Sequence, residues 1–231
     1  MTVIVTQHGE TRLESLLVTG GETPRPLILI FPTVMNRAAL EQGFAEKLAA
    51  LGYAALICDL YGDGRVGLPR EECFGLMQTL RADRSFLQQR LLALLDTAHA
   101  LPLADTGRVA AIGFCFGGLA ALDLARSGAE LRGVASFHGL FDPLPDSGAG
   151  PIPAKIIAFH GWDDALAPPD SVIALAAELT ARQADWQLHA YGGTVHGFMN
   201  PASAAPGIQH NPRAARRAWT ALEDFLAECF A

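Results

Sequence analysis

Cys115, at the centre of Gly113-Phe-Cys-Phe-Gly117, is the residue of this 231-residue chain best placed to act as a nucleophile. A strand-like run, Arg108-Val-Ala-Ala-Ile112, leads into it, and a helix-like run, Leu119-Ala-Ala-Leu-Asp-Leu-Ala125, leads out. Strand, Gly-x-Cys-x-Gly and helix in succession make a nucleophile elbow, with cysteine where the usual motif has serine. At such a turn the side chain is pushed clear of the sheet, and the flanking glycines avoid a clash. The helix beginning there aims its unpaired N–H groups at the same point, which favours a thiolate and later an oxyanion. Taken alone, Gly-x-Cys-x-Gly fits a buried cysteine beside a tight turn equally well.

Two further reactive side chains follow strand-like runs. Asp164 comes after Ile156-Ile-Ala-Phe159, and His196 sits in the glycine-rich loop after Trp186-Gln-Leu-His-Ala-Tyr191. A parallel sheet places its ligand site at the carboxyl ends of its strands, so all three residues fall at one end. The order nucleophile, acid, histidine matches α/β-hydrolases and differs from the other triad orders. In that scheme His196 takes the thiol proton, and Asp164 sets the histidine's tautomer and orientation. A lone histidine in such a loop is ordinarily a surface residue.

The elements that would position these groups alternate along the chain. Val3–Val5 and Arg12–Val18 read as strands around a turn at His8-Gly9. Leu27–Phe31 and Ala54–Cys58 are uninterrupted apolar runs, as expected of parallel strands buried on both faces. Leu40, Phe44, Leu48 and Leu51 recur at helical spacing, and so do Leu87, Leu91, Leu94, Leu95 and Ala98. From Gly62 to about Thr79 no period is evident, so this segment is expected to be a loop over one end of the sheet. Arg132–Phe137 reads as a strand, followed by a Pro/Gly/Asp-rich loop through Pro153. Asp170 is the expected cap of a helix carrying Ile173, Leu175, Ala176 and Leu179. Trp186–Tyr191 is the expected last strand. Asn211 and Pro212 open a closing helix with a seam of Ala215, Trp219, Leu222, Leu226 and Cys229. The expected fold class is α/β, a mostly parallel central sheet with helices on both faces, in a single domain spanning residues 1–231.

Composition narrows the function. A net charge of −7 argues against nucleic-acid binding. No apolar run is long enough to span a membrane, and the N-terminus has no signal-like pattern. Cys58, Cys73, Cys115 and Cys229 are too scattered for a zinc or redox motif, so neither metal nor cofactor is expected, and a reduced, cytoplasmic setting is.

The chain resembles the dienelactone hydrolase family of α/β-hydrolases from Leu27 to the closing helix. The carriers are Asp59-Leu-Tyr-Gly62, Gly113-Phe-Cys-Phe-Gly-Gly118, Ser136-Phe-His-Gly139, His160-Gly-Trp-Asp-Asp-Ala-Leu-Ala-Pro168 and His196-Gly-Phe198, with Asn211-Pro212 and Ala218-Trp219. The resemblance implies an α/β-hydrolase fold, a Cys115–His196–Asp164 triad with Asp163 the lesser choice of acid, and an acyl-enzyme. The oxyanion hole would be the backbone N–H groups of Phe116, after the nucleophile, and Val34, after the first buried strand. Two positions depart from dienelactone hydrolase proper. Thr33 stands where that enzyme has a glutamate, and Asn200 where it has a substrate-binding arginine.

The expected substrate pocket includes Thr33, Asn200, Tyr61, His138 and Phe198. Arg81 or Arg84 could supply the missing cation, or could face solvent. His138 and Tyr61 would line the site or bond to backbone. Phe74, Met77 and Phe86 could wall an apolar pocket. The leading expectation is a hydrolase of small esters or lactones, acting as a monomer or small homo-oligomer. A true dienelactone hydrolase and a non-catalytic binding protein are the alternatives.

Overall fold

Apolar runs without alternation become the inner strands, because each must bury both faces. In the computed structural model, which describes residues 1–21, 23–144 and 150–231, they pair in parallel at the middle of an eight-stranded sheet. The strands are β1 (Thr2–His8), β2 (Thr11–Val18), β3 (Arg25–Phe31), β4 (Ala54–Ile57), β5 (Ala104–Phe114), β6 (Gly133–Phe137), β7 (Lys155–Gly161) and β8 (Trp186–Tyr191). Their spatial order is β1-β2-β4-β3-β5-β6-β7-β8, with β1–β2 and β2–β4 antiparallel and the remaining pairs parallel.

Alternate residues of each inner strand feed two cores. Leu27, Leu29 and Phe31 pack toward α2 (Arg70–Ala82), α3 (Arg84–His99), α4 (Phe116–Arg126) and α5 (Pro169–Ala181). Ile28 and Ile30 pack toward α1 (Ala39–Ala50) and α6 (Pro212–Phe230). The sheet is therefore covered on both faces, as parallel strands require.

One row of side chains levels the strand ends. Phe114, Phe137 and Phe159 are register partners on β5, β6 and β7. Their rings stack at 4.8 and 4.5 Å, and Phe44 of α1 extends the row at 4.4 Å. Each such pair adds about 0.5–1.5 kcal/mol to the burial of its rings. The residues that follow Phe114 and Phe137 are Cys115 and His138, so this row fixes the strand ends from which both project.

Several local expectations are corrected. The segment after Gly62 is not all loop, since α2 fills Arg70–Ala82. Its core contacts are Cys73, Met77 and Leu80, a helical spacing too sparse to stand out among polar neighbours. Asp170 is not a cap: α5 starts with Pro169 after Pro168, and Asp170 lies in its first turn. Trp186–Tyr191 is not the last strand, because β9 (Ala204–Ala205) and β10 (Ile208–Gln209) form a small ribbon after it. The closing helix is capped as expected, with Asn211 accepting from the N–H groups of Arg213 and Ala214. Its buried seam runs through Ala214, Ala218, Leu222, Phe225, Leu226 and Cys229, so Ala215 and Trp219 fall at the edge. Residues 145–149 of the Pro/Gly/Asp-rich loop lie outside the described residues.

Candidate active site

Cys115 has φ 56 and ψ −118, between the end of β5 and the start of α4. A side chain seldom holds this backbone, and such strain gathers where the structure needs one group in one direction. The glycines on either side are there for space. A Cβ on Gly113 would strike the carbonyl of Gly117, and one on Gly117 would strike the backbone of Phe31. The Cys115 N–H donates to Phe137 O at 3.0 Å, which ties the turn to β6. Of the four free cysteines Cys115 is partly exposed, and the other three are buried.

Asp164 and His196 meet as expected. His196 Nδ1 lies 2.7 Å from Asp164 Oδ2, both side chains being almost fully buried. Asp163 is exposed, and its N–H donates to Thr194 O at 3.0 Å. Burial opposes charge on His196. The hydrogen-bonding and charge of Asp164 and Cys115 outweigh it and raise the ring's pKa to about 10. Nε2 itself makes no hydrogen bond among the described residues. Catalytic hydrogen bonds are often long or poorly aligned before substrate binds.

Cys115, His196 and Val34 open onto a cavity of about 440 Å³, within the range of small-molecule sites. No backbone hydrogen bond occupies the N–H of Val34 or Phe116 among the described residues. Both remain available to an oxyanion.

Of the remaining expected pocket residues, Thr33, Arg81, His138 and Asn200 line the cavity. Arg81 does so with its guanidinium committed, since Nε and Nη2 each donate to the Asp142 carboxylate at 2.8 Å. Three lie elsewhere. Arg84 forms a two-point ion pair with the fully buried Asp123, a structural contact. Phe198 is buried behind His138, their rings edge to face at 5.3 Å. Tyr61 is not in the wall either; its hydroxyl donates to Val34 O at 2.9 Å and so braces the loop carrying the Val34 N–H. Phe74 and Met77 wall the cavity, while Phe86 packs on His8.

Two carboxylates shape this loop, a role that the sequence reading gave to neither. Glu41 is fully buried on α1 and accepts from Thr33 N at 2.9 Å and Ala38 N at 3.1 Å, fastening both ends of the 33–38 loop. Burial raises its pKa, against the lowering effect of those N–H donors. Its signal would have been a capping box, but Ala38 supplies no hydroxyl for one. Asp59 accepts from Asn36 Nδ2, Tyr61 N and Gly62 N, each at 3.0 Å, linking the Asp59–Gly62 turn to the same loop. Arg70 also lines the cavity, exposed at its rim and 5.3 Å over the Phe74 ring. Among the described residues no cluster suited to a metal ion occurs, and no helix is long and apolar enough to cross a membrane.

The sequence profile of the dienelactone hydrolase family matches residues 13–230. Carboxymethylenebutenolidase 2 of Cupriavidus pinatubonensis is 30% identical over 195 residues, covering 79% of this chain and 77% of that protein. An uncharacterized protein of Caenorhabditis elegans is 35% identical over 155 residues, 63% of this chain and 95% of that one. Among solved structures, a dienelactone hydrolase-like promiscuous phosphotriesterase from metagenomic libraries matches with a TM-score of 0.95 at 34% identity. That match covers 100% of this chain and 98% of the other.

Proposed function

The chain belongs to the dienelactone hydrolase family of α/β-hydrolases, and from that premise we propose that it is a hydrolase cleaving small esters or lactones through a Cys115–His196–Asp164 triad. The observation that carries this reading is the strained Cys115 turn opening onto the same cavity as the His196–Asp164 pair.

The thiol proton passes to His196 Nε2, and Asp164 stabilises the resulting imidazolium through Nδ1. The raised His196 pKa favours keeping that proton on the ring. The thiolate attacks the acyl carbon, a C–S bond forms, and the carbonyl oxygen becomes an oxyanion facing the N–H groups of Val34 and Phe116. When the intermediate collapses, the C–O bond to the leaving alcohol breaks and His196 returns its proton to that oxygen. Water then attacks the thioester with His196 as base, releasing the acid and restoring the thiol.

Trapping the intermediate tests the scheme. Quenching a reaction with p-nitrophenyl acetate should leave one acetyl group on the Cys115 peptide by mass spectrometry. Cys115→Ala should carry none and lose roughly a thousandfold or more in kcat. Acetylation elsewhere, or unchanged turnover in the variant, refutes it. Action on dienelactone itself is a second reading, supported by the relatedness to carboxymethylenebutenolidase 2 and by arginines in the cavity wall.

A further inference from the structure

His138 follows Phe137 at the end of β6, beside the Cys115 strand. Its backbone is left-handed, with φ 37. A non-glycine residue held there is strained. Its N–H donates to Phe159 O at 2.8 Å, which anchors the backbone. The residue is 1% exposed and lines the cavity with Cys115 and His196. Its ring packs against His196 at 5.1 Å and edge-on to Phe198 at 5.3 Å.

Neither ring nitrogen of His138 has a hydrogen-bond partner among the described residues. An imidazole always carries at least one N–H, and burying it unpaired is unfavourable. His160, its counterpart at the end of β7, is likewise buried and unpaired. That ring lies against Phe141 and Trp162 and is not in the cavity wall, so it has no route to a ligand. His138 does. Burial and the neighbouring His196 charge keep its pKa well below the ordinary value, which makes it a poor base but leaves one donor and one acceptor nitrogen.

We propose that His138 is a specificity-determining residue whose ring hydrogen-bonds an oxygen substituent of the bound ester or lactone, so that the site favours hydroxy-, alkoxy- or oxo-substituted acyl groups over bare alkyl ones. The proposal rests on the ester- and lactone-cleaving function of Cys115. A substrate without such an oxygen leaves the ring unpaired. A site built to hydrogen-bond a substrate group discriminates sharply against analogues that lack it.

The test compares kcat/KM for p-nitrophenyl butyrate, methoxyacetate and 3-hydroxybutyrate in the wild type, His138→Phe and His138→Gln. Each ester's variant-to-wild-type ratio cancels its intrinsic reactivity. In the phenylalanine variant at least one oxygenated ester should fall about fivefold or more relative to butyrate, and glutamine should restore part of the preference. If both oxygenated esters keep their preference to within about fivefold, the proposal is overturned. Thermal melting checks folding, and His138→Leu carries the test if the phenylalanine variant does not fold. Acylation of Cys115 in the wild type is read separately. If it is absent, the function proposed for Cys115 fails; if it is present with unchanged preferences, only the His138 subsite does.

Discussion

His196 is held at Nδ1 by Asp164, so replacing that carboxylate separates orientation from the rest of the fold. Asp164→Asn should fold and lower kcat by roughly 10⁴, as loss of the equivalent aspartate does in serine triads. Asp163→Asn should change kcat little, because that side chain is exposed and Asp164 is the carboxylate on the ring. A comparable loss in both variants would mean that the pair acts together. The same contact has a pH signature. An unfolded imidazole titrates near about 6.5, whereas the folded His196 is raised to about 10. The stabilisation it contributes is complete below the unfolded value and is lost as pH rises through the folded one. Urea melts should therefore show the stability gap between wild type and Asp164→Asn narrowing from pH 6.5 toward pH 10, and a constant gap would contradict the raised pKa. Cys115, Asp164 and His196 could be singled out in sequence because Cys115 directly follows a strand, while Asp164 and His196 sit in the loops that leave later readable strands. The roles of Tyr61, Arg84 and Phe198 were not, because each is decided by a partner remote in sequence: Val34, Asp123 and His138.

At the level of elements, the site depends on how the loop between β3 and α1 is fastened. Glu41 makes two of those ties from inside α1, and Tyr61 makes a third from the turn after β4. Glu41→Gln keeps the volume but weakens two charge-assisted bonds, and its amide can accept through one oxygen only. The Val34 N–H would then be held less firmly toward a developing oxyanion. The expected result is a fall in kcat/KM of about tenfold to a hundredfold. Alkylation of Cys115 by iodoacetamide should keep its rate, since that reaction forms no oxyanion. A parallel loss in both measurements would place Glu41 in general stability instead. The inner strands and the long helices α3 and α6 could be read from sequence because their apolar residues are dense and periodic. Helix α2 could not, since its buried stripe is only Cys73, Met77 and Leu80 and is interrupted by charged and polar residues. That helix supplies Arg70, Phe74, Met77 and Arg81 to the cavity. The least legible element therefore forms much of the wall that faces substrate.

For the whole molecule the question is which substrates suit a cavity between that helix and the strand ends. Binding a carboxylate in a partly buried pocket requires a cation fixed nearby, because leaving the charge unpaired is costly. Arg81 lines the cavity but is already paired with Asp142 through two 2.8 Å hydrogen bonds. Arg84 is taken up by buried Asp123. Near His196 the wall carries neutral Asn200, whose Oδ1 accepts from Ala202 N at 2.9 Å. Thr33, Val34, Met35, Phe74, Met77 and Leu140 leave the remaining wall mostly apolar. A net charge of −7 adds a weak general repulsion toward anions. Neutral short-chain esters or lactones should accordingly exceed dienelactone in kcat/KM on purified protein. The exposed guanidinium of Arg70 at the rim is the group that could reverse this order. If dienelactone is the better substrate and Arg70→Ala raises its KM while sparing p-nitrophenyl butyrate, α2 supplies the cation from the rim. If Arg81→Ala has that selective effect instead, the Arg81–Asp142 pair opens to admit the carboxylate. Either result would turn the preference for neutral substrates into one for anionic lactones, with the same Cys115 chemistry beneath it.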